Sequence, residues 1–527
     1  MLSRRPDSRI SPPRSSTHLL SSQPVSSRDR TPVGETERLI ARDLVMGRLK
    51  DAQAQVRDAA ILALGKSGYK EAVPFLAEAA SNDVDPQVRE DALLALGLSG
   101  QRDAALPVLL KALDTPSTDK RERRAAFAAL GLGLLGDREN AAPRLRDLYK
   151  RAAAAPNMAD EAACTAVALG MLGDAEAIAI FEKFLASSAT PESVKVYTLH
   201  ALGKYGTADE KVARQAQTLV THALKDRKQT VKRAAVLALG SFSESYGALI
   251  AEGLDDSDPY TKGFAAASLG RIAARMDPSS REYKVIAAEL AKSAEGEKKD
   301  RWLSQASNIA LAGMAYGDHE KFLMDAIKEG LTKINPHNAS SVVLSLGLLG
   351  TDSPAARKAL EDALRSRGSG TSVQAYSGLA LAMAGAPKAT EELRGVLTST
   401  VDRPPADVAR SLALGLGLVG GKQDVDLLIG VLKGERFESF SYTARHFIRG
   451  TSVIAIGLIA DAETVKKVQP LLTSPREWEQ RAFATAVLGY LLEPSEERRV
   501  SPRIGEIFRH HNYTQALPVV QAVQSIL

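Results

Sequence analysis

The 527-residue sequence has few of the residues that most often mark a catalytic or membrane protein. It contains one cysteine, two tryptophans and 5% aromatic residues. A single cysteine excludes an intramolecular disulfide, and no segment approaches the roughly 18 apolar residues of a membrane-spanning helix. No apolar stretch of the required length follows Arg4 and Arg5, so we expect no secretory signal. These features favour a cytoplasmic protein, or an exported one if the true start lies elsewhere.

Residues suited to catalysis are also scarce. Cys164 lies in the run DEAACTAVALG on an apolar helix face, where a small buried side chain is expected rather than a nucleophile. His510 and His511 are adjacent, so on a helix their side chains point about 100° apart and do not readily share a metal ion. The other histidines stand singly. We therefore predict no catalytic residue, no cofactor and no metal site.

Two segments match the G-x-G-x-x-G fingerprint of dinucleotide-binding proteins, GLGLLG at 131–136 and GLGLVG at 415–420. That fingerprint follows a hydrophobic strand and opens a helix. Here the preceding residues, KRERRAAFAAL and ADVARSLAL, are rich in helix-forming alanine and arginine. The glycines therefore follow helices, and we predict that neither segment binds a nucleotide.

The same glycines belong to an internal repeat. ALGKSG at 63–68 returns as ALGLSG at 95–100 and ALGMLG at 168–173, and weaker copies continue to VLGYLL at 487–492. The aligned positions are 65, 97, 133, 170, 203, 240, 270, 314, 347, 382, 417, 457 and 489, with Met314 in the eighth copy. Their mean spacing is about 35 residues, which is typical of helical-hairpin repeats.

Each aligned position follows an amphipathic helix. Val56, Ala60, Ala63 and Leu64 are spaced i, i+4, i+7 and i+8, which places them on one stripe. Alanines allow close helix packing, and the glycine permits the left-handed turn that ends the helix. Prolines recur where helices begin, and no segment favours a strand. The sequence predicts an all-α solenoid (superhelix) of about 13 helical hairpins, a long curved body with a contour near 120 Å, that is, about 9–10 Å per hairpin.

The repeats resemble HEAT repeats of the phycobilisome-lyase type. The resemblance rests on AQVRDAAILALGKSGYKEAVPFLAEA at 54–79 and PQVREDALLALGLSGQRDAALPVLLKAL at 86–113, and short motifs extend it over roughly residues 40–494. Scaffolds, adaptors and a few enzymes share this repeat, so the resemblance implies a fold more than an activity. The expected function is a non-catalytic scaffold or adaptor that binds another protein.

Other activities of such proteins stay open as alternatives. The resemblance to bilin lyases allows an enzyme subunit of that kind or a maturation factor. HEAT-like deoxyhypusine hydroxylases bind iron through several His-Glu pairs, whereas this sequence has one, His319-Glu320. HEAT-like DNA glycosylases use a basic concave face. Of the net charge of +5, residues 1–34 carry +4, so the solenoid is close to neutral and nucleic acid is not the expected partner.

One basic position recurs eight residues before the repeat glycine. Its members are Arg57, Arg89, Lys195, Lys232, Lys262, Arg449 and Arg481. In stacked repeats we expect such residues to form a ladder with acidic side chains of adjacent turns, because solenoid stability rests on contacts between neighbours. The alternative is a cationic rail for an acidic partner.

The two ends of the chain differ from the array. Residues 1–34 contain nine serines, five prolines, six arginines and no aromatic residue, a composition too poor in apolar surface to fold alone. We predict a disordered tail at 1–34 whose deletion hardly changes the melting temperature, and a HEAT-repeat solenoid at 35–494. Residues 495–527 are expected to cap the exposed end of the last repeat.

Aromatic and arginine residues concentrate in GERFESFSYTARHFIRG at 434–450. These residue types are enriched at the anchors of protein interfaces. We predict a partner-binding site formed by Phe437, Phe440, Tyr442, Arg445, His446, Phe447 and Arg449. The alternative is an extra helix that packs through its own aromatic side chains.

Overall fold

The computed structural model describes residues 31–116, 122–295, 300–331, 336–350, 353–366, 368, 370–385, 388–399, 403–435, 437, 439–475 and 477–492. Within these ranges the regular structure is helical, and one isolated β-bridge joins Pro32 to Asp461. None of the described helices is both long enough and apolar enough to span a membrane.

The helices form two layers. The outer layer contains α1 (Glu35–Met46), α3 (Val73–Asn82), α5 (Arg102–Asp114), α7 (Arg138–Ala153), α9 (Glu176–Ala186), α11 (Glu210–His222), α13 (Tyr246–Ala248, continued by a π-helical turn at Leu249–Gly253), α15 (Arg281–Ala294), α17 (Gly317–Glu329), α19 (Pro354–Arg365), α21 (Ala389–Thr398), α23 (Lys422–Lys433) and α25 (Thr464–Val468, continued by a 3-10 turn at Gln469–Thr473). The inner layer contains α2 (Ala54–Ser67), α4 (Pro86–Leu98), α6 (Arg124–Leu135), α8 (Ala159–Met171), α10 (Glu192–Gly203), α12 (Gln229–Leu239), α14 (Pro259–Ala273), α16 (Arg301–Gly313), α18 (Pro336–Leu349), α20 (Thr371–Met383), α22 (Ala406–Val419), α24 (Tyr442–Ile459) and α26 (Trp478–Leu491). Each outer helix precedes an inner helix. The described chain therefore makes thirteen hairpins, the number that the sequence predicts.

The array closes on itself. α26 packs against α2 in the same way as consecutive inner helices pack, and α1 lies over α26. At this seam Arg481 Nε donates to Asp51 Oδ2 at 2.9 Å, and Arg48 Nη1 donates to the Leu472 carbonyl at 2.9 Å. The all-α solenoid is confirmed, but the prediction of a long body whose last repeat has an exposed end is wrong, because that end packs on α2. The contour of the solenoid is the circumference of a ring, because thirteen small rotations between neighbours sum to a full turn.

A short N-terminal segment fastens the seam. Thr31 N donates to Asp461 Oδ2 at 2.9 Å, and Ala462 N donates to the Thr31 carbonyl at 2.8 Å. Val33 is 7% exposed and belongs to the core. We call residues 31–34 the strap. Ordered packing thus begins inside the predicted 1–34 tail, while residues 1–30 lie outside the described part of the chain.

The C-terminal cap predicted at 495–527 also lies outside the described residues. The surface of α26 that such a cap would cover is in contact with α2. In a closed ring, the terminal repeat therefore presents no open end that a cap must protect.

Most repeat glycines lie inside the inner helices, at the contact with the next inner helix; Gly203 is the last residue of α10, and Gly240 follows α12 as its C-cap without a left-handed turn. A methyl group placed on Gly65 would lie 2.6 Å from Ala95 Cα, and one on Gly489 would lie 2.6 Å from Ala63 Cβ. The prediction that these glycines end the helices is therefore wrong. The left-handed turn belongs to a second glycine three residues later, such as Gly68 with φ 70°. Backbone proximity at each joint is what requires the first glycine.

This contact rule corrects one alignment. Most repeat positions pack on the residue two before the repeat position of the next hairpin, and the seam follows the same rule, whereas Gly457 packs on Tyr490. Gly270 meets Ala310, so the eighth repeat position is Ala312 and the predicted Met314 is two residues out of register.

Each inner helix has four faces, which we number from the repeat position as 0. Position 0 faces the next inner helix, position −2 faces the previous one, and positions −1 and −5 face the outer layer. At about 100° per residue, positions −10, −6, −3 and +1 face the ring axis, with position −7 at the edge. We call these five the luminal positions. Thirteen helices about 8–10 Å apart leave an opening of about 20–30 Å.

Candidate functional site

The loop that begins the predicted site packs on the protein's own core. Gly434 ends α23 with φ 79°, and Phe437 follows with φ 64°. The Phe437 and Phe440 rings stack with centroids 5.3 Å apart and an interplanar angle of 7°, against the core of the hairpins around α18 to α24. These two aromatics hold the loop in place. For Phe437 and Phe440, the structure therefore agrees with the alternative interpretation, in which the aromatic side chains of this segment pack on the protein itself.

Three further predicted residues converge on one carboxylate of the next inner helix. Tyr442, His446 and Arg449 lie on one face of α24. The Tyr442 hydroxyl donates to Glu479, His446 Nδ1 lies 3.3 Å from Glu479 Oε1, and Arg449 Nη1 lies 2.8 Å from Oε2. Burial favours a higher pKa for Glu479, but the hydrogen bonds from Tyr442 and His446 and the charge of Arg449 outweigh it and lower the pKa. The cluster joins α24 to α26.

Arg449 also belongs to the predicted basic ladder. All seven members of that ladder pair with an acidic residue that precedes or begins the next inner helix. The pairs are Arg57–Asp83, Arg89–Glu122, Lys195–Asp226, Lys232–Asp256, Lys262–Asp300, Arg449–Glu479 and Arg481–Asp51. The ladder interpretation is confirmed, and its last pair spans the seam. These cations serve the joints and do not form a rail.

Two of the predicted residues remain exposed. Tyr442 is 60% exposed and Phe447 is 52% exposed, and the Arg410 guanidinium carbon lies 5.1 Å from the Phe447 ring centroid. Arg445 lies against Phe437 and Ile448 beside the loop. The predicted set of seven thus divides into packing residues, a ladder residue and a smaller surface that combines Tyr442 with Phe447.

A second exposed aromatic occupies the same position in another hairpin. Phe447 and Tyr260 both lie at position −10. Tyr260 is 41% exposed, its ring lies 4.7 Å from the Arg233 guanidinium carbon, and the Trp302 ring lies 5.0 Å from it. This pair is not apparent from local sequence composition, because Tyr260 and Trp302 are 42 residues apart. A comparison by repeat position would have found it, since Trp302 is also at position −10.

The luminal positions are divided by charge. On α2 to α8 they carry four carboxylates (Asp58, Glu90, Asp91 and Asp160) against two cations (Lys66 and Arg123). On α10 to α16 they carry three cations (Lys204, Arg233 and Arg271) and no carboxylate. We call these the acidic arc and the basic arc. A continuous basic track of the kind that binds nucleic acid is thus interrupted on this face.

The residues considered for catalysis lie in the interior. Cys164 is 1% exposed, and burial raises the pKa of its thiol, so the described structure confirms it as a buried apolar residue. His319 is 3% exposed, and burial lowers its pKa to about 4. Among the described residues, no three His, Cys, Asp or Glu side chains lie close enough to hold a metal ion.

The GLGLLG segment forms the end of α6 and its cap. Gly133 lies against Ala168 of the next inner helix, and Gly136 ends α6 with φ 77°. GLGLVG likewise lies at the end of α22. Both segments close a helix at a repeat joint, whereas a dinucleotide site needs the glycines to open one.

Comparison with known proteins identifies the repeat. Residues 41–131 match the family model of HEAT repeats, which confirms the repeat type expected from the sequence. No curated protein sequence matches the chain. Among solved structures, the complex of CpcE and CpcF of phycocyanin lyase from Nostoc sp. PCC7120 is 22% identical and has a TM-score of 0.34, with 48% of this chain and 94% of that chain covered.

Two other solved structures have similar repeats. Yeast importin-beta (Kap95p) is 13% identical with a TM-score of 0.40, and the match covers 94% of this chain and 74% of that chain. Human deoxyhypusine hydroxylase in complex with glycerol is 18% identical with a TM-score of 0.23, covering 53% and 96%. At this likeness the activity of none of them transfers to this chain.

Proposed function

We propose that the protein is a non-catalytic scaffold that binds another protein on its inner layer. The observation that carries the proposal is the exposure of Tyr442 and Phe447 in an array that otherwise packs with alanine, leucine and valine. Exposed aromatics beside arginine have the chemistry of interface anchors. The Phe447 ring is held by Arg410, so little side-chain freedom is lost on binding.

The ring limits the shape of the partner. An opening of about 20–30 Å admits one α-helix of about 10–12 Å diameter or an extended segment. A folded domain of about 100 residues has a radius of gyration of about 13 Å, so it is roughly 30 Å or more across and does not pass. We therefore propose that the partner presents a helix or an extended segment to the luminal edge near α24.

The test begins with the intact chain as bait for affinity purification and mass spectrometry. The double substitution Tyr442→Ala and Phe447→Ala is then compared with wild type for binding of the recovered partner. Loss of a good anchor typically costs about 2 kcal/mol, so affinity should fall about thirtyfold or more. The helical signal should stay near wild type and the melting temperature should fall only slightly, because both side chains are largely exposed and Arg449 still pairs with Glu479 when the hydrogen bond from Tyr442 is lost.

Phe440→Ala is the matched control. Phe440 packs on Phe437 and the core, so its loss should lower the melting temperature while partner affinity is kept. Normal binding by the double variant would contradict the proposed surface. Absorbance bands beyond about 300 nm in the purified protein would contradict the scaffold itself and favour a chromophore- or iron-carrying enzyme subunit.

A further inference from the structure

We propose that Asp58 and Asp91 form a guanidinium-binding site in the acidic arc, and that its occupant is the chain's own arginine-rich segment, residues 1–30. The proposal is independent of the partner surface at Tyr442 and Phe447. It rests on three observations. Two carboxylates at the joint between α2 and α4 each have an oxygen without a hydrogen-bond partner among the described residues, and nearby cations pair with other groups. The N-terminal segment has the opposite charge and is long enough to reach the site.

The two carboxylates belong to neighbouring inner helices, α2 and α4, and the charge of Asp91 acts on Asp58. Asp58 is at position −7 of its helix and Asp91 is at position −6 of the next. Asp91 is 6% exposed, and its Oδ2 accepts a hydrogen bond from Gln87 Nε2 at 3.1 Å. Its Oδ1 and the buried Oδ1 of Asp58 have no hydrogen-bond partner within the described residues. Unmet buried acceptors on adjacent helices are expensive to maintain.

Nearby cations are engaged elsewhere. Arg57 donates two hydrogen bonds to Asp83, and Arg123 pairs with Glu90 at 2.8 Å. Burial, together with the charge of Asp91 and of Asp85 and Asp83, raises the pKa of Asp58 to about 8. Burial likewise raises the pKa of Asp91 to about 6, and the charge of Glu90 adds to this. An arriving guanidinium would relieve both the repulsion and the unmet acceptors, since its planar fork donates to two oxygens at once.

The N-terminal segment has matching charge and sufficient length. Residues 1–30 contain six arginines against two aspartates. The strap fixes Thr31 at Asp461, beside the end of α24. From there to α4 the path crosses α26 and α2, a distance of about 30 Å across the helices and about 15 Å along them. The 17 residues from Arg14 to Thr31 span up to about 55 Å when extended. Arg14 and the arginines before it can therefore reach the site.

The experiment uses the chain lacking residues 1–30, which retains the strap, and a labelled synthetic peptide of residues 1–30. We expect fluorescence anisotropy to show salt-sensitive binding of the peptide to the shortened chain. The intact chain should bind it at least tenfold more weakly, because its own segment competes at a high effective concentration. A peptide with all six arginines replaced by glutamine should not bind.

Two variants of the shortened chain locate the site. Asp58→Asn with Asp91→Asn should reduce peptide affinity at least tenfold. Asp103→Asn, which removes an exposed carboxylate from the outer helix α5, should change it little. Equal affinity of the peptide for the double variant and the unsubstituted shortened chain would overturn the site. Equal affinity for the intact and shortened chains would overturn the intramolecular occupant, and would mean that the site takes arginine from another protein.

Discussion

The seam between α26 and α2 and the first internal joint between α2 and α4 use the same contacts. Gly489 lies against Ala63 as Gly65 lies against Ala95. Arg481 pairs with Asp51 at 2.9 Å as Arg57 pairs with Asp83 at 2.7 Å. The ring is thus closed by a thirteenth copy of the repeat contact. A special interface is not required, because the first hairpin already has the surface that the last one needs.

The two joints differ at their luminal edge. The internal joint places Asp58 beside Asp91, whereas the corresponding seam positions are Ala482 and Ala59. α2 and α4 are connected through α3, so their effective concentration stays high even when the contact is weakened. The seam has no such connection and depends on its own packing and the strap. A destabilising acidic pair can therefore be accommodated at the α2–α4 joint, whereas at the seam between α26 and α2 it would favour opening of the ring.

The largest effect should follow from blocking the seam backbone. Gly489→Leu places a side chain where Ala63 lies 2.6 Å from even a methyl group, and overpacking of this kind costs ~3 kcal/mol or more. We expect the ring to open while helical content is kept, because twelve joints remain. Small-angle scattering should show a larger maximum dimension. Gly313→Leu is the control, since a methyl group at Gly313 meets nothing within 4 Å; unchanged scattering for Gly489→Leu would mean that the seam is absent in solution.

Removal of the strap should give the second-largest loss of stability. Deleting residues 1–34 removes the two hydrogen bonds of Thr31 at the seam, to the Asp461 carboxylate and from Ala462 N, and the buried Val33 side chain, a loss of about 2–3 kcal/mol. Deleting residues 1–30 keeps these contacts. Calorimetry should therefore give a lower melting temperature for the 1–34 deletion than for the 1–30 deletion. If both deletions leave the same midpoint, the original expectation of a dispensable 1–34 tail holds and the strap contributes nothing.

We expect Asn substitutions at the two joints to change the free energy of unfolding in opposite directions: Asp58→Asn should raise it and Asp51→Asn should lower it. Both are measured in the chain lacking residues 1–30. Burial and neighbouring carboxylates raise the pKa of Asp58 in the folded protein to about 8, well above the ordinary range of an aspartate, so the free energy of unfolding falls as pH rises between about 4 and 8. Asp58→Asn should stabilise the protein by ~1–2 kcal/mol at pH 7.5 and flatten that fall.

Asp51 at the seam behaves in the other direction. Burial favours a higher pKa for Asp51, but its hydrogen bond and charge interaction with Arg481 prevail and lower the pKa. The ionised Asp51 carboxylate therefore stabilises the fold at pH values above the pKa that it has in the unfolded chain. This stabilisation is lost as the pH falls through the lower pKa that it has in the folded protein. Asp51→Asn should therefore destabilise by ~1 kcal/mol at neutral pH. Denaturant titrations at pH 5 and 7.5 measure both changes, and a stabilising Asp51→Asn would contradict the assignment of the seam pair.

The smallest effect should distinguish two of the three glycines of GLGLLG, Gly133 and Gly136. Gly136→Ala forces a left-handed alanine where the added methyl group meets nothing within 4 Å, a cost of ~1 kcal/mol. Gly133→Ala places a methyl group 2.8 Å from Ala168 Cα in the next inner helix, so it should cost more. Melting temperatures of the two variants measure the difference. The reverse order would mean that the helix cap, and not the joint, requires the glycine.

Local features of the fold follow from the sequence because each is set within one or two hairpins. The period predicts about thirteen hairpins, and the described part of the chain forms thirteen. The residue eight before the glycine predicts the ladder, since a cation at that position always meets the turn before the next inner helix. The candidate site was predictable only in part. Composition marked 434–450, but it did not separate the packed Phe437 and Phe440 from the exposed Tyr442 and Phe447.

Closure was decided by the tertiary structure. It depends on a rotation of about 28° per hairpin, summed over thirteen joints, and each rotation reflects side-chain volumes that no motif encodes. A few degrees of difference per joint, accumulated around the array, would give an open superhelix from the same repeat pattern. The same summation places Arg481 beside Asp51, 430 residues away in the chain. It also brings four carboxylates from three hairpins onto one arc, because luminal neighbours are defined by the stacking of helices and not by their spacing in the sequence.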